Sequence, residues 1–407
     1  MTDRVREQYE DLPYPPRDPG DERKRLITGS PGHILEIDHY IYAGARDWSE
    51  PFRVLVAGGG TGDALVMLAQ QLADRGCPAE IVYLDISTAS REIAEARARV
   101  RGLDNIVFET GSLLDAGKFG EFDYIDCCGV LHHLEDPSAG FRALAGVLGP
   151  DGGIGLMVYG ALGRTGVYHA QAMLRMIAGD GPSGERVAIA RKLMQALPPG
   201  NWLRRNPTVG DYKRGDAALF DLLLHSRDRA YTVPELADEL AQAGLRAIAF
   251  IEPALYDPDT FIRDPALRKR VAELDWLERR AFAELLSGNR HKHTVYCVAA
   301  ARKADTVARP ADSAAPVLRE IDGAALAAAI GPDGAVKVSG DGMEMSVRLP
   351  PIAPALLRLI DGQRTIAELR AAIGAKVTDA EFERQFGALY NALNGLNQML
   401  LRYPAGV

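Results

Sequence analysis

The chain has 407 residues, a net charge of −8 and no apolar run that is long enough to cross a membrane. This length predicts two or three domains, and a composition of 47% hydrophobic and 25% charged residues is typical of soluble globular proteins. The acidic balance excludes the broad basic surface that duplex nucleic acid requires, and the polar N-terminus lacks the apolar segment of a signal peptide. We therefore expect a cytoplasmic protein without a duplex nucleic-acid or membrane partner.

The four cysteines are Cys77, Cys127, Cys128 and Cys297, and their spacing is not that of metal ligands. Cys127 and Cys128 are neighbours on a predicted strand, so their side chains point to opposite faces. The pattern predicts reduced, buried cysteines and no metal site.

The N-terminal segment contains a cluster of proline and tyrosine residues between Tyr9 and Pro16 that cannot form a continuous helix. Two interpretations remain open at this point. The segment is either a lid that lays Tyr9 or Tyr14 near a ligand, or an arm that packs on the domain surface.

A glycine-rich turn follows the first buried strand and begins the central region. Residues 54–56 are apolar without alternation, as in a strand that is buried on both faces. Gly58, Gly60 and Gly62 then leave the backbone open to a ligand, and an apolar helix follows. Because position 63 is Asp63, the G-x-G-x-x-G dinucleotide fingerprint is incomplete, which argues against a nicotinamide-dependent dehydrogenase.

Asp85 supplies the second signal, at the end of the next apolar run. A carboxylate about twenty residues beyond such a turn binds the hydroxyls of a ribose. The glycine turn and Asp85 together predict an adenosine without phosphates, whose amino-acid-like tail lies at the turn.

Five segments in order resemble the motifs of the class I S-adenosylmethionine-dependent methyltransferases. They are residues 58–62, Asp85, residues 111–113, residues 122–134 and residues 148–153, of which the last segment matches the turn before the fifth strand. The resemblance implies a doubly wound, seven-stranded Rossmann-like α/β methyltransferase sheet with helical insertions. It also implies that S-adenosyl-L-methionine is the cofactor.

Seven strands are predicted along the chain. They lie near residues 53–58, 80–85, 105–109, 122–128, 153–159, 245–251 and 294–300. Helical segments separate the first five, which predicts a parallel sheet with helices on both faces and a final antiparallel pair. Ligands of such sheets bind beyond the carboxyl ends of the strands, so the motifs meet at one edge.

Site residues follow from this edge and from the resemblance. The residues implied in cofactor binding are Gly58, Gly60, Gly62, Asp85, Ile86, Ser112, Leu113 and Cys128. The candidate catalytic residues are His133, His225 and Tyr159. Two alternatives stay open: His133 packs structurally near the cofactor, and His225 caps the end of a helix.

The composition divides the chain into four parts. They are an N-terminal arm or lid (1–50), the methyltransferase domain (51–300, with helical insertions at about 161–230 and 255–290), a linker (301–316) and a C-terminal module (317–407). We expect the first insertion to carry substrate recognition.

The C-terminal module is predicted to hold three helices, at residues 354–360, 365–373 and 378–396, and a closing strand at 400–403. Capping boxes open the last two helices. The arrangement suggests an α+β winged-helix-like domain, and residues 359–365 resemble the C-terminal module of bacterial protein lysine methyltransferases. Because Arg384 is the only basic residue of the last helix, we expect a protein partner or a dimer contact, and not DNA.

The sequence therefore predicts a methyltransferase that acts on an N or O nucleophile of a protein or small-molecule acceptor. The alternative is a catalytically weak S-adenosylmethionine-binding regulatory or scaffold protein. Val56 and Ser112 motivate that alternative, because the family usually has acidic residues at both positions.

Overall fold

The computed structural model describes residues 4–340, 343–374 and 377–404. The chain divides into two compact units. The first comprises Met1–Ile34, Trp48–Ala247 and Ser287–Arg302, and the second comprises Leu35–Asp47, Ile248–Leu286 and Lys303–Val407. Among the described residues, none of the helices combines the length and the hydropathy that are needed to cross a bilayer.

A seven-stranded sheet organises the first unit. Its strands are β1 (Phe52–Ala57), β2 (Ala79–Asp85), β3 (Ile106–Thr110), β4 (Phe122–Cys128), β5 (Leu148–Tyr159), β6 (Leu245–Phe250) and β7 (Lys292–Ala299). Their order is β3-β2-β1-β4-β5-β7-β6. The first five strands pair in parallel and β7 runs antiparallel to β5, so the predicted α/β sheet is confirmed.

The fifth strand is longer than the sequence predicted. The expected turn at residues 148–153 is part of β5, which starts at Leu148. Leu148 pairs with Phe122 while Gly153 pairs with Tyr124, so the register shifts and the residues between them form an irregularity within the strand. The glycines that predicted a turn therefore mark a bulge.

Helices of the first unit cover the sheet and form the insertion after β5. They are α1 (Arg4–Asp11), α3 (Asp63–Asp74), α4 (Thr88–Arg101), α5 (Pro137–Ala145), α6 (Val167–Ile177), α7 (Ser183–Ala196), α8 (Trp202–Arg205), α9 (Asp216–Leu223) and α10 (Val233–Gln242). Ser87 caps the start of α4, and Gly102 ends it in the left-handed region.

The second unit draws its elements from three parts of the chain. They are α2 (Ile34–Ile41), α11 (Pro265–Val271), α12 (Trp276–Ser287), β8 (Ala315–Leu318), α13 (Gly323–Ala329), β9 (Ala335–Gly340), β10 (Met343–Arg348), α14 (Ala353–Leu359), α15 (Ile366–Ile373), α16 (Asp379–Gly395) and β11 (Met399–Arg402). Antiparallel pairs join β8 with β11 and β9 with β10. Apolar residues of α14, α15 and α16 form its core.

The three helices predicted for the C-terminal module are confirmed as α14, α15 and α16, whereas the hairpin of β9 and β10 was not predicted. The capping box of Thr365 and Glu368 is present. The box predicted for Thr378 and Glu381 is only half formed, because the Glu381 carboxylate binds the side chains of Arg384 and Gln385 instead. The winged-helix likeness and the four-part division of the chain remain predictions.

Candidate active site

The glycine turn after β1 has a backbone that side chains would block. Gly58, Gly60 and Gly62 have φ angles of 72°, 50° and 97°. A Cβ atom on Gly58 would lie 2.4 Å from Cγ2 of Val130, in the loop after β4. Glycine at this position thus permits the close approach of two loops at the carboxyl edge of the sheet.

Asp85 lies at the end of β2 and faces this turn. Its carboxylate accepts hydrogen bonds from the backbone N–H groups of Gly60 and Ser87, both at 2.8 Å. Burial raises the pKa of Asp85, and these two N–H groups oppose the rise. Each carboxylate oxygen receives one of the two bonds and can accept another, as two ribose hydroxyls require.

The first part of the predicted N-terminal arm, residues 4–27, packs on the same edge and is called the arm below. The hydroxyl of Thr61 donates to the carbonyl of Pro15 at 2.6 Å, and the hydroxyl of Ser87 donates to the carbonyl of Tyr9 at 3.1 Å. Glu10 accepts hydrogen bonds from the first N–H groups of α4, where a carboxylate is favoured by the helix dipole. The arm therefore contacts both the glycine turn and the segment after β2.

A network of ion pairs, fully buried at Glu22 and Arg97, fastens the arm. Glu22 pairs with Arg97 at 2.7 Å and also with Arg101, and both partners lie on α4. Arg97 pairs in turn with Asp63 at 2.7 Å, and Asp63 pairs with Arg17 of the arm at 2.5 Å. The arm packs on the domain and also reaches the predicted ligand edge, and its role as a lid stays a prediction.

Two of the candidate catalytic residues, His133 and His225, meet in one cluster. Their rings stack with centroids 3.7 Å apart. Nδ1 of His133 lies 2.7 Å from the carbonyl oxygen of Arg227, so this nitrogen is the donor and carries the proton. Nδ1 of His225 accepts the N–H of Arg227 at 3.0 Å, which leaves the proton of the neutral ring on Nε2. One residue of the backbone thus fixes both tautomers.

Asp221 of α9 connects the third candidate, Tyr159, to this cluster. Its carboxylate accepts the hydroxyls of Tyr9 and Tyr159, each at 3.0 Å. The Tyr9 hydroxyl also lies 3.4 Å from Nε2 of His225. Burial, followed by the charge of Asp221, holds the pKa of Tyr159 well above its ordinary value. Burial and the neighbouring His133 hold the pKa of His225 well below its ordinary value, so His225 stays neutral.

The cluster contains the atoms of a possible metal site, although the sequence predicted none. One ring nitrogen of His133, one of His225 and an oxygen of Asp221 lie within 4.8 Å of one another. However, an imidazole binds a metal in its ring plane, and the two ring planes differ by only 22°, so they do not converge on one ion. A metal-binding histidine also donates its other N–H, whereas Nδ1 of His225 accepts a hydrogen bond. The geometry favours a hydrogen-bonded cluster.

The remaining predicted cofactor residues lie at the ends of strands or next to them. Ile86 follows β2, and Cys128 ends β4. Ser112 caps the short helical turn that begins at Leu113, because its hydroxyl accepts the N–H of Leu114 at 3.2 Å. Burial raises the pKa of Cys128 to about 12, which keeps the thiol protonated.

Sequence reasoning missed Asp221, and it considered His132 only as an alternative to His133 for a base or a substrate ligand. Asp221 interrupts the apolar run of α9, and that polar position was an available signal. His132 is 1% exposed, and no described residue gives its ring nitrogens a hydrogen bond. Its ring packs 3.8 Å from the ring of Tyr159, so His132 lines the cluster from a second side.

Comparisons with known proteins agree with this geometry. Residues 55–154 match the family model of a methyltransferase domain. An uncharacterized protein of Synechococcus sp. is 34% identical over 241 residues, which cover 58% of this chain and 57% of the relative. A ubiquinone biosynthesis O-methyltransferase of Escherichia fergusonii is 26% identical over 197 residues, which cover 44% of this chain and 76% of that enzyme. The chain thus spans little more than half of the cyanobacterial relative.

Among solved structures, that of PKMT2 from Rickettsia typhi in complex with AdoHcy has a similar fold. The TM-score is 0.63 at 15% identity, and the match covers 90% of this chain and 74% of that protein. This likeness shows the fold and extends well beyond the matched domain. Residues 55–154 thus match a methyltransferase domain, and the sheet has the class I S-adenosylmethionine-dependent methyltransferase fold that the sequence predicted.

Proposed function

We propose that the protein transfers a methyl group from S-adenosyl-L-methionine to an N or O nucleophile of a protein or small-molecule acceptor, with His133 as the base. One observation carries this proposal. The hydrogen bond from Nδ1 of His133 to the carbonyl of Arg227, at 2.7 Å, leaves Nε2 unprotonated in the neutral ring. Nε2 is therefore ready to receive a proton from the acceptor.

The described residues fit the cofactor. Gly58, Gly60 and Gly62 form a turn without side chains for its amino-acid tail, and the free lone pairs of Asp85 suit the two ribose hydroxyls. Ile86, Ser112, Leu113 and Cys128 line the same strand ends, where we place the adenine and the tail. When bound, the cofactor supplies an activated methyl group. The rickettsial structure that contains AdoHcy supports this assignment.

The roles of His225 and Tyr159 differ from that of His133. The high pKa of Tyr159 and its bond to Asp221 make it a hydrogen-bond donor and not a base. Nε2 of His225 carries the proton and faces Tyr9, so we assign to His225 a positioning role. The similarities support both acceptor classes. One relative is an O-methyltransferase, and the C-terminal module resembles that of protein lysine methyltransferases.

A labelling experiment tests the proposal. Purified protein and radiolabelled S-adenosylmethionine are incubated with a lysate that lacks the protein, and the products are separated into protein, RNA and small-molecule fractions. We expect label in the protein or small-molecule fraction, and none with Gly60→Arg, which fills the glycine turn. Label in neither fraction, with the cofactor bound in a parallel titration, contradicts the proposal and favours the regulatory alternative.

The base is tested with His133→Asn. We expect kcat to fall by about 10²–10⁴-fold with little change in the cofactor Kd, because a positioned base contributes on that order. His169→Asn is the matched control, since His169 is exposed on α6. An undiminished kcat in His133→Asn would assign the histidine to packing.

A further inference from the structure

Asp221 is a buried carboxylate without a lysine or arginine partner in the part of the chain that the structure describes. It is 5% exposed, and its two hydrogen-bond donors, the hydroxyls of Tyr9 and Tyr159, are neutral. Among the described residues, no lysine or arginine forms an ion pair with it. Because an isolated buried charge is costly, a carboxylate in this setting usually has a cationic partner.

Arg164, which contacts the cluster at Tyr159, already has an ion-pair partner of its own. Arg164 rests over the ring of Tyr159 at 3.7 Å, but its guanidinium pairs with Asp228 at 2.6 Å. The side chains of Arg164 and Asp228 are 3% and 2% exposed, so they form a closed ion pair. Asp228 also accepts hydrogen bonds from Gln171 and Tyr168. The charges of this pair cancel, and one negative charge remains on Asp221.

Aromatic rings surround the carboxylate. His133 and His225 stack beside it, and His132 packs on Tyr159 at 3.8 Å. The ring of Tyr9 lies 5.9 Å from that of His225. The faces of the two tyrosine rings attract an organic cation. A metal ion needs converging ligand planes, which this cluster does not offer.

We propose that Asp221 receives the ammonium group of an amine acceptor, so that the protein is an N-methyltransferase. This inference rests on the proposed function and names the substrate class of the same site. The tyrosine hydroxyls hold the carboxylate, and the carboxylate holds the ammonium nitrogen beside the base.

The reaction balances with the groups present. The ammonium group gives one proton to Nε2 of His133, which leaves a neutral amine with a free electron pair. The nitrogen forms a bond to the methyl carbon while the carbon–sulfur bond breaks, and sulfur keeps that electron pair. The product is a methylated ammonium ion whose charge remains opposite Asp221, and His133 later releases its proton to water.

The test identifies the atom that receives the methyl group. The protein is incubated with lysate and S-adenosylmethionine carrying a ¹³C-methyl group, and a ¹H–¹³C correlation spectrum separates N-, O-, S- and C-methyl products. We expect an N-methyl signal. An O-, S- or C-methyl signal overturns the amine proposal and leaves the methyltransferase standing, whereas the absence of any product overturns both.

A pair of variants tests the role of the Asp221 charge. Asp221→Asn removes the charge and keeps an oxygen acceptor for one of the two tyrosine hydroxyls, which donate to different carboxylate oxygens. We expect kcat/KM for the acceptor to fall about 10- to 100-fold. Asp216→Asn is the matched control on the same helix, because the Asp216 side chain is 60% exposed and pairs with Arg191. We expect it to retain wild-type activity.

The sulfonium of the cofactor is also positively charged, so Asp221 could bind the cofactor and not the acceptor. The same variants distinguish the two. We expect wild-type protein and Asp221→Asn to show the same ratio of affinities for S-adenosylmethionine and S-adenosylhomocysteine, since only the former is a sulfonium. A selective loss of S-adenosylmethionine affinity in Asp221→Asn would assign the carboxylate to the cofactor and overturn the amine proposal.

Discussion

Each unit of the molecule buries a carboxylate, and the two carboxylates differ in whether a positive side chain balances their charge. In the second unit, Glu36 is fully buried, forms an ion pair with Arg319 at 3.1 Å and accepts the side-chain amide of Asn397 at 2.6 Å. In the first unit, Asp221 is almost as buried but is bonded only by neutral hydroxyls. The charge of Glu36 is balanced within the chain, as folding alone requires. The charge of Asp221 is left for a ligand to balance.

Arg319→Met provides the strongest test of this contrast. Removing one partner of a buried ion pair leaves the other charge uncompensated, so we expect the free energy of unfolding to fall by about 3–5 kcal/mol. Asp221→Asn should not lower it comparably, because that charge has no ion-pair partner to lose and an unbalanced buried charge is itself costly. Urea unfolding measures both variants, with Arg348→Met as the exposed control. An equal loss of unfolding free energy in Arg319→Met and Asp221→Asn would contradict the proposed difference between the two carboxylates.

A buried histidine extends the comparison to pH. His39 of α2 is fully buried, and burial lowers its pKa to about 4, although its hydrogen bond to Leu401 opposes the shift. An unfolded histidine has a pKa of about 6.5. Between these values the unfolded chain binds a proton that the folded chain does not, so stability falls as the pH falls from about 6.5 to 4. The full loss is about 3 kcal/mol, at roughly 1.4 kcal/mol for each pH unit.

Unfolding at several pH values between 7 and 4 measures this effect in wild-type protein and in His39→Asn. Carboxylates titrate in the same range, so the informative quantity is the difference between the two slopes. We expect a shallower slope in His39→Asn and an unchanged slope in His169→Asn, whose histidine is exposed. Parallel slopes for wild type and His39→Asn would show that this histidine does not make stability depend on pH.

Much of the sheet was predictable because its signals are local. The apolar runs of β1 and β2, the glycine turn and Asp85 each lie within a few residues of the structure that they specify. The same holds for the capping box at Thr365, which starts α15. Local signals also explain the error at β5, because glycines at residues 149, 152 and 153 suit both a turn and a bulge.

The cluster was harder to predict because its parts are distant in sequence. Tyr9 and Asp221 are 212 positions apart and meet only when the arm packs on the sheet edge and the insertion folds. The pairing of Glu36 with Arg319 likewise joins segments that the sequence placed in different domains. Periodicity identifies a helix and its buried face, but it does not identify the element that the face meets.

Tyr9→Phe has the smallest expected effect and tests the neutral hydroxyls that distinguish Asp221 from Glu36. It removes one of the two donors to Asp221 and the contact with His225, so we expect kcat/KM for the acceptor to fall about tenfold. The carbonyl of Tyr9 still accepts the Ser87 hydroxyl, so protease resistance of the arm and the cofactor Kd should not change.

Glu7→Gln is the control from the same arm, since Glu7 is exposed on α1. A fall in cofactor affinity or in protease resistance with Tyr9→Phe would mean that the hydroxyl serves mainly to fasten the arm. A fall confined to the acceptor means that the arm supplies part of the acceptor site. In that case, the arm and the insertion together hold a charge that the chain leaves unbalanced.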